Sequence, residues 1–189
     1  MFSLSDALVQ LENANQAGEI FSIEQLRELA DSLSVEMAGA EGKTSVFYSG
    51  DIKPGQLNGE AWRVLDDLPD GQYRVLNNPD VVQLLRSDEF RIALTNSVKS
   101  FTSPDQVVEK VNEIFNGSVV NGKRIPDGLW DDASQRFAEA ASGDVRVIAP
   151  YGKSETVFAQ TELPTLLNNE KVTTIDGIPR SQLVQLRDT

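Results

Sequence analysis

Leu129-Trp-Asp-Asp-Ala-Ser-Gln-Arg-Phe-Ala-Glu-Ala-Ala141, Gly143-Asp-Val-Arg-Val-Ile-Ala149 and Phe158-Ala-Gln-Thr-Glu-Leu-Pro164 follow one another in the last third of the chain. The first segment carries Trp130, Ser134, Phe137, Ala138 and Ala141 at spacings of three and four, which predicts a helix from about Leu129 to Ala141 with one apolar face. Asp127 is the expected cap, and Ser142-Gly143 the stop. Val145–Ala149, Thr156–Phe158 and Lys171–Ile175 predict three short strands, separated by Pro150, Gly152 and Pro164.

Upstream, the pattern is helical. Met1–Gln16 is amphipathic, with a helix expected near Ser5–Asn15. A second opens at Ser22, where Ser-x-x-Gln has capping-box spacing and Leu26, Leu29 and Leu33 keep helical phase. Gly39–Lys43 reads as a loop and marks the expected boundary between a helical segment, 1–43, and a main domain, 44–189. Thr44–Tyr48 predicts a strand ending at Ser49-Gly50, and Asn58–Leu65 a helix closed by the turn Leu68-Pro-Asp-Gly71. Helices are expected near Pro79–Leu85 and Glu89–Lys99, and from Ser103-Pro104 to Phe115-Asn-Gly117. Together these predict an α+β protein, with a helical N-terminal half packed on a small, mainly parallel C-terminal sheet.

The chain has neither Cys nor His, which removes Cys nucleophiles, Cys/His zinc sites and His-based triads. Chemistry here would fall to carboxylates, hydroxyls, aromatics, Lys or Arg. A net charge of −12 argues against nucleic acid as partner. It reads as a solubility device or as an acidic surface suited to a basic partner. No apolar run is long enough to span a membrane and no secretory leader is visible, so no membrane span is expected. Neither a metal nor a bound cofactor is called for.

Taken alone, Trp130 reads as the anchor of a core-facing stripe; the functional alternative makes it a stacking wall, with Ser134 donating to a ligand's polar edge. Glu162, beside apolar residues near the end of an expected strand, is either a cap or a buried functional carboxylate. Asp66-Asp67 by itself is a solvated loop.

Trp130-x-x-x-Ser-x-Arg-Phe-Ala-Glu-Ala-Ala, the following Asp-Val-x-Val strand and Phe158-x-x-x-Glu162 resemble the ADP-ribosyl cyclase and NAD glycohydrolase family, related folds of which occur among bacterial toxins. Val46-Phe-Tyr-Ser49 looks like the family's aromatic-Trp-Ser segment, and Leu65-Asp-Asp67 like its Leu-Glu-Asp segment. The resemblance covers roughly Thr44–Ile175. It implies that Glu162 steadies a ribosyl oxocarbenium, that Trp130 and Tyr48 face nicotinamide, and that Asp66 binds the carboxamide with Asp67 beside it. It gives Ser134 the leaving group or ribose, and gives Ser49 and the backbone of Val157-Phe158 the phosphates. Tyr48 stands in place of Trp, Asp66 in place of Glu, and Gly50 where an Arg often meets phosphate; Lys43, Lys153 or Arg136 are the expected substitutes. The vertebrate members are disulfide-rich, whereas a Cys-free chain suits a reducing cytosol.

The resemblance implies an NAD+ glycohydrolase, with NAD+ as substrate and a cyclase product as a minor branch. It further implies a toxin domain delivered into a target cell's cytoplasm to deplete NAD+, and neutralised by a cognate immunity protein. Two alternatives stand beside it: a mono-ADP-ribosyltransferase using Gln160-x-Glu162, and a non-catalytic interaction domain in which Trp130 is core and Glu162 a cap.

Overall fold

Two capping boxes open the helices with which the chain begins. A computed structural model describes residues 2–36, 42–48, 72–76, 79–148 and 156–189. Helix α1 (Leu4–Ala17) starts where the Ser3 hydroxyl accepts the Asp6 N–H and the Asp6 carboxylate accepts the Ser3 N–H. Helix α2 (Ile23–Asp31) repeats the device with Ser22 and Gln25. Tertiary contacts divide the chain into two units, residues 1–37 with 77–133 and residues 38–76 with 134–189.

The first unit is helical. To α1 and α2 it adds α3 (Asp80–Arg86), α4 (Asp88–Lys99) and α5 (Val107–Asn116), the last entered through a 3-10 turn at Pro104–Gln106. Leu11 of α1, Leu26 of α2, Leu84 of α3 and Phe90 and Leu94 of α4 are fully enclosed, and Phe90 meets Phe115 of α5 at 5.9 Å between ring centroids. Ser87 serves two helices at once, since its hydroxyl donates to the last turn of α3 at Leu84 and accepts the Phe90 N–H at the start of α4. A hairpin follows, β3 (Val119–Val120) and β4 (Lys123–Arg124), numbered after two strands of the second unit. Its turn is Asn121-Gly122, both with positive φ (52° and 75°), the backbone that a two-residue hairpin turn requires.

Helix α6 (Leu129–Glu139) contributes its first turn to the first unit and the rest to the second. Asp127 does not cap it as expected. Its carboxylate instead accepts the N–H and the hydroxyl of Ser118, and Asp131 accepts the Gly128 N–H that opens the helix. The two Ser118 donors hold Asp127 below the ordinary carboxylate range even though burial acts in the other direction.

The second unit is built on a mostly parallel five-stranded sheet, in the order β2 (Tyr73–Val75), β1 (Thr44–Tyr48), β5 (Gly143–Ile148), β6 (Val172–Ile175), β7 (Ile178–Pro179). Thr44 pairs with Tyr73, Tyr48 with Ile148, and Val145 with Ile175, all in parallel; only β7 is antiparallel, turned back by Asp176-Gly177. The architecture is therefore mixed α and β, as expected, with strands at Thr44–Tyr48, Gly143–Ile148 and Val172–Ile175. The remaining helices are α7 (Leu163–Asn168) and α8 (Arg180–Asp188). Asn169, just past α7, donates its side-chain amide to the carbonyls of Ala138, Glu139 and Ala141, satisfying the open end of α6.

The expected strand at Thr156–Phe158 is not one. Val157 and Phe158 have strong β propensity, but the Thr156 hydroxyl accepts the Ala159 N–H and its carbonyl accepts the Gln160 N–H, so Thr156 starts a helical run instead. Among the described residues no helix is long and apolar enough to cross a membrane. Ser49-Gly50, the helix expected at Asn58–Leu65 and the turn at Leu68–Gly71 lie outside the described residues.

Candidate functional site

The parallel strands β2, β1 and β5 bring their carboxyl ends to one edge of the sheet. From β1 the chain passes to β2 on one side, while β5 lies on the other, so strand order reverses at β1. In open parallel sheets this reversal is where ligands lodge, beyond the carboxyl ends of the strands. Tyr48 is the last residue of β1 at that point. It is half-buried, and its hydroxyl donates to the Leu76 carbonyl at 3.0 Å, which fixes the ring across the end of β2.

Glu162 belongs to the same unit. It ends a π-helical turn, Phe158–Glu162, in which the Leu163 N–H reaches back five residues to the Phe158 carbonyl. The reason is the next residue. Pro164 has no N–H to give the Gln160 carbonyl, and its ring crowds the carbonyl one turn back, so the helix widens by one residue before α7 continues. The Thr165 hydroxyl donates to the Thr161 carbonyl at 2.7 Å, across the junction of the two helical segments. The turn packs against β1, and Thr161 and Glu162 are buried, Glu162 only 6% exposed. Single π-turns within helices are rare and recur at functional sites.

Of the other expected residues, Val157 and Phe158 lie half-buried at the start of this turn, and Ser134 is buried on α6. Trp130 lies on the same helix one turn earlier but belongs to the first unit. Its ring is half-buried, with the Arg86 guanidinium 5.8 Å from the ring centroid, so one neighbour of the indole is a cation. Just beyond it, Asp132 is pushed above the ordinary carboxylate range by burial. Arg27, paired with it at 2.7 Å, works against that shift, while Asp31 and Asp131 add to it. Ser49, Asp66 and Asp67 lie outside the described residues, as does Lys153. Lys43, expected as a phosphate partner, precedes the amino end of β1 and stands five residues from Tyr48, about 16 Å along a strand. That distance removes it from the edge where Tyr48 lies.

One functional-looking residue escaped the sequence reading. Arg74 of β2 is 4% exposed; its guanidinium donates to the Ser45 hydroxyl at 2.6 Å and to the Phe137 carbonyl at 3.2 Å. It also lies 3.9 Å from the centroid of the Phe137 ring, whose centroid is 5.1 Å from that of Phe47. A buried cation thus fastens α6 to the two strands that end at Tyr48 and Val75. The signal was slight: one Arg between Tyr73 and Val75, in a run short enough to read as turn.

No family model matches the chain, and comparison with curated proteins returns no match.

Proposed function

We propose that the chain is an NAD+ glycohydrolase of ADP-ribosyl cyclase-like fold, with Glu162 as its catalytic carboxylate. The observation that carries this is a buried carboxylate on a π-turn packed against β1, the strand whose carboxyl end bears Tyr48 at the reversal of strand order. Nicotinamide in NAD+ is already cationic, so its departure needs no acid. The C1′–N bond breaks, both electrons leave with neutral nicotinamide, and positive charge develops on the ribose. A fixed carboxylate in a site of low dielectric stabilises that charge. Water then adds at C1′, giving ADP-ribose and a proton; closure by the adenine instead gives the cyclic product as a minor branch.

Tyr48 supplies an aromatic wall for nicotinamide, and Ser134 a hydroxyl for the ribose or the leaving group. Trp130 remains the proposed stacking residue for nicotinamide. Asp66 and Asp67 remain the proposed carboxamide contacts, and Ser49 with the Val157-Phe158 backbone the phosphate contacts. The biological setting we propose is a toxin domain acting in a target cell's cytoplasm and held in check by an immunity protein. The transferase alternative is less favoured, because Gln160 and Glu162 sit two apart on a π-helical turn, towards opposite sides of its axis, rather than on one face of a strand.

Wild type and Glu162→Gln, incubated with NAD+ and assayed for nicotinamide with cyclic and linear products separated, test the proposal. Loss of the carboxylate is expected to slow turnover by roughly 10²–10³-fold. Equal turnover by both proteins, or none by either, would refute it. Label from NAD+ on a protein acceptor would point to the transferase instead.

A further inference from the structure

We propose that Pro164 is the positioning residue of Glu162, holding its carboxylate inward by locking the π-turn. Three observations meet here. The Leu163 N–H bonds to the Phe158 carbonyl, so the turn holds one residue more than an α-helical turn. Pro164 is the residue that cannot supply the next bond of a regular α-helix. And Thr161 and Glu162, the last two residues of the widened turn, are buried.

The extra residue has a geometric effect. Each residue of an α-helix turns the chain by about 100°, so absorbing one residue shifts everything on one side of the turn by that angle relative to the other. The two sides are anchored independently. Thr156 caps the start through the Ala159 N–H, whereas Leu166 and Leu167 are buried on the far side and Asn169 grips the end of α6. With both ends tethered, the π-turn sets the direction in which residue 162 points. Pro164 makes the α-helical alternative unavailable, because that alternative would need an N–H at 164 and room for the Gln160 carbonyl beneath the ring.

The kinetic half of this inference rests on the glycohydrolase reading; the orientation half does not. The test compares wild type with Pro164→Ala and Pro164→Ser, both of which restore the N–H. Three quantities are measured: thermal stability, nicotinamide release, and the shielding of the Glu162 side-chain carboxyl carbon from a soluble gadolinium chelate. The last is read by NMR on protein with 13C-labelled Glu, assigned with Glu162→Gln. Both variants are expected to keep or raise Tm, since Pro is the poorest residue inside a helix. The Glu162 signal is expected to lose shielding, and kcat to fall by about 10–100-fold with KM within about 3-fold, the pattern of a misaimed group.

Unchanged shielding in both variants overturns the proposal, whatever the activity. So does loss of the fold in both, which would make Pro164 a packing residue. Lost shielding with kcat unchanged removes the kinetic half. Wild type without NAD+ turnover refutes the glycohydrolase reading alone, and shielding then judges the orientation half.

Discussion

Arg74 offers the sharpest test of how the second unit is held together, and Arg74→Met is the informative change. Met keeps much of the stem's volume and removes the guanidinium. Two hydrogen bonds from a charged donor disappear, to the Ser45 hydroxyl and the Phe137 carbonyl, each worth about 1.5–3 kcal/mol net. The cation over the Phe137 ring adds about 2 kcal/mol in a desolvated setting. Against this stands relief: burying a charge costs several kcal/mol, and an apolar side chain of similar size does not incur it. The balance is a loss of about 2–4 kcal/mol.

Urea unfolding followed by far-UV circular dichroism reads this directly. With a slope of about 1–3 kcal/mol per molar urea for small proteins, the midpoint is expected to fall by about 1–2 M. Arg74→Lys is the control. It keeps the charge but cannot form the planar fork or stack in the same way, so it is expected to be at least as destabilising as Met. A Met variant within about 0.5 kcal/mol of wild type would show that the buried cation contributes nothing beyond its own desolvation. A Lys variant equal to wild type would show that charge alone suffices, and either result refutes the reasoning.

The Arg124–Asp131 pair, with Asp131 2% exposed and its carboxylate also accepting the Gly128 N–H, calls for a different comparison. Asp131→Ala is expected to cost about 1.5–3 kcal/mol by removing the carboxylate that Arg124 and the Gly128 N–H share, while the half-buried guanidinium keeps the Asn116 carbonyl; the double change Arg124→Met, Asp131→Leu recovers part of that loss, and a double variant no better than the single one would overturn this. Asp127 stabilises the fold above its ordinary value of 3.8 and loses that contribution as pH falls through its lower folded value. Ser118→Ala, which removes the hydroxyl donor and leaves the backbone N–H, is therefore expected to lessen the fall of the urea midpoint as pH drops below the ordinary value of Asp127, and an unchanged slope would refute the assignment. Asp132, raised above 3.8, acts in the opposite sense and loses its stabilising contribution as pH rises towards its folded value.

What the sequence made legible was local. The Ser22-x-x-Gln25 box, the Ser103-Pro104 start and the β-branched run Thr44–Tyr48 each state their structure within a few residues. The two hairpins are equally local. Asn121-Gly122 follows Val119-Val120, and Asp176-Gly177 lies between Ile175 and Ile178, both of the form that two-residue hairpin turns require. Arg74 was not legible in the same way. Its burial follows from Phe137, 63 residues later, arriving over β2, and nothing in Tyr73-Arg-Val75 announces that partner. The interleaving of the two units is of the same kind, since it depends on which helices the segment 77–133 meets.

Glu162 shows how a local misreading carries into mechanism. On a strand its direction would follow from the pleat, and a change of sheet register would be the way to disturb it. Thr156 overrides that. Its hydroxyl captures the Ala159 N–H, and two residues of high β propensity enter a helical run because one hydrogen bond at its start outweighs their preference. The Leu163-Pro164 pair then changes meaning as well. Rather than ending a strand, Pro164 sets the phase of a helix, and the carboxylate depends on that phase. Substitutions that alter helical phase between Thr156 and Leu166 should therefore disturb Glu162 more than substitutions in β5 or β6.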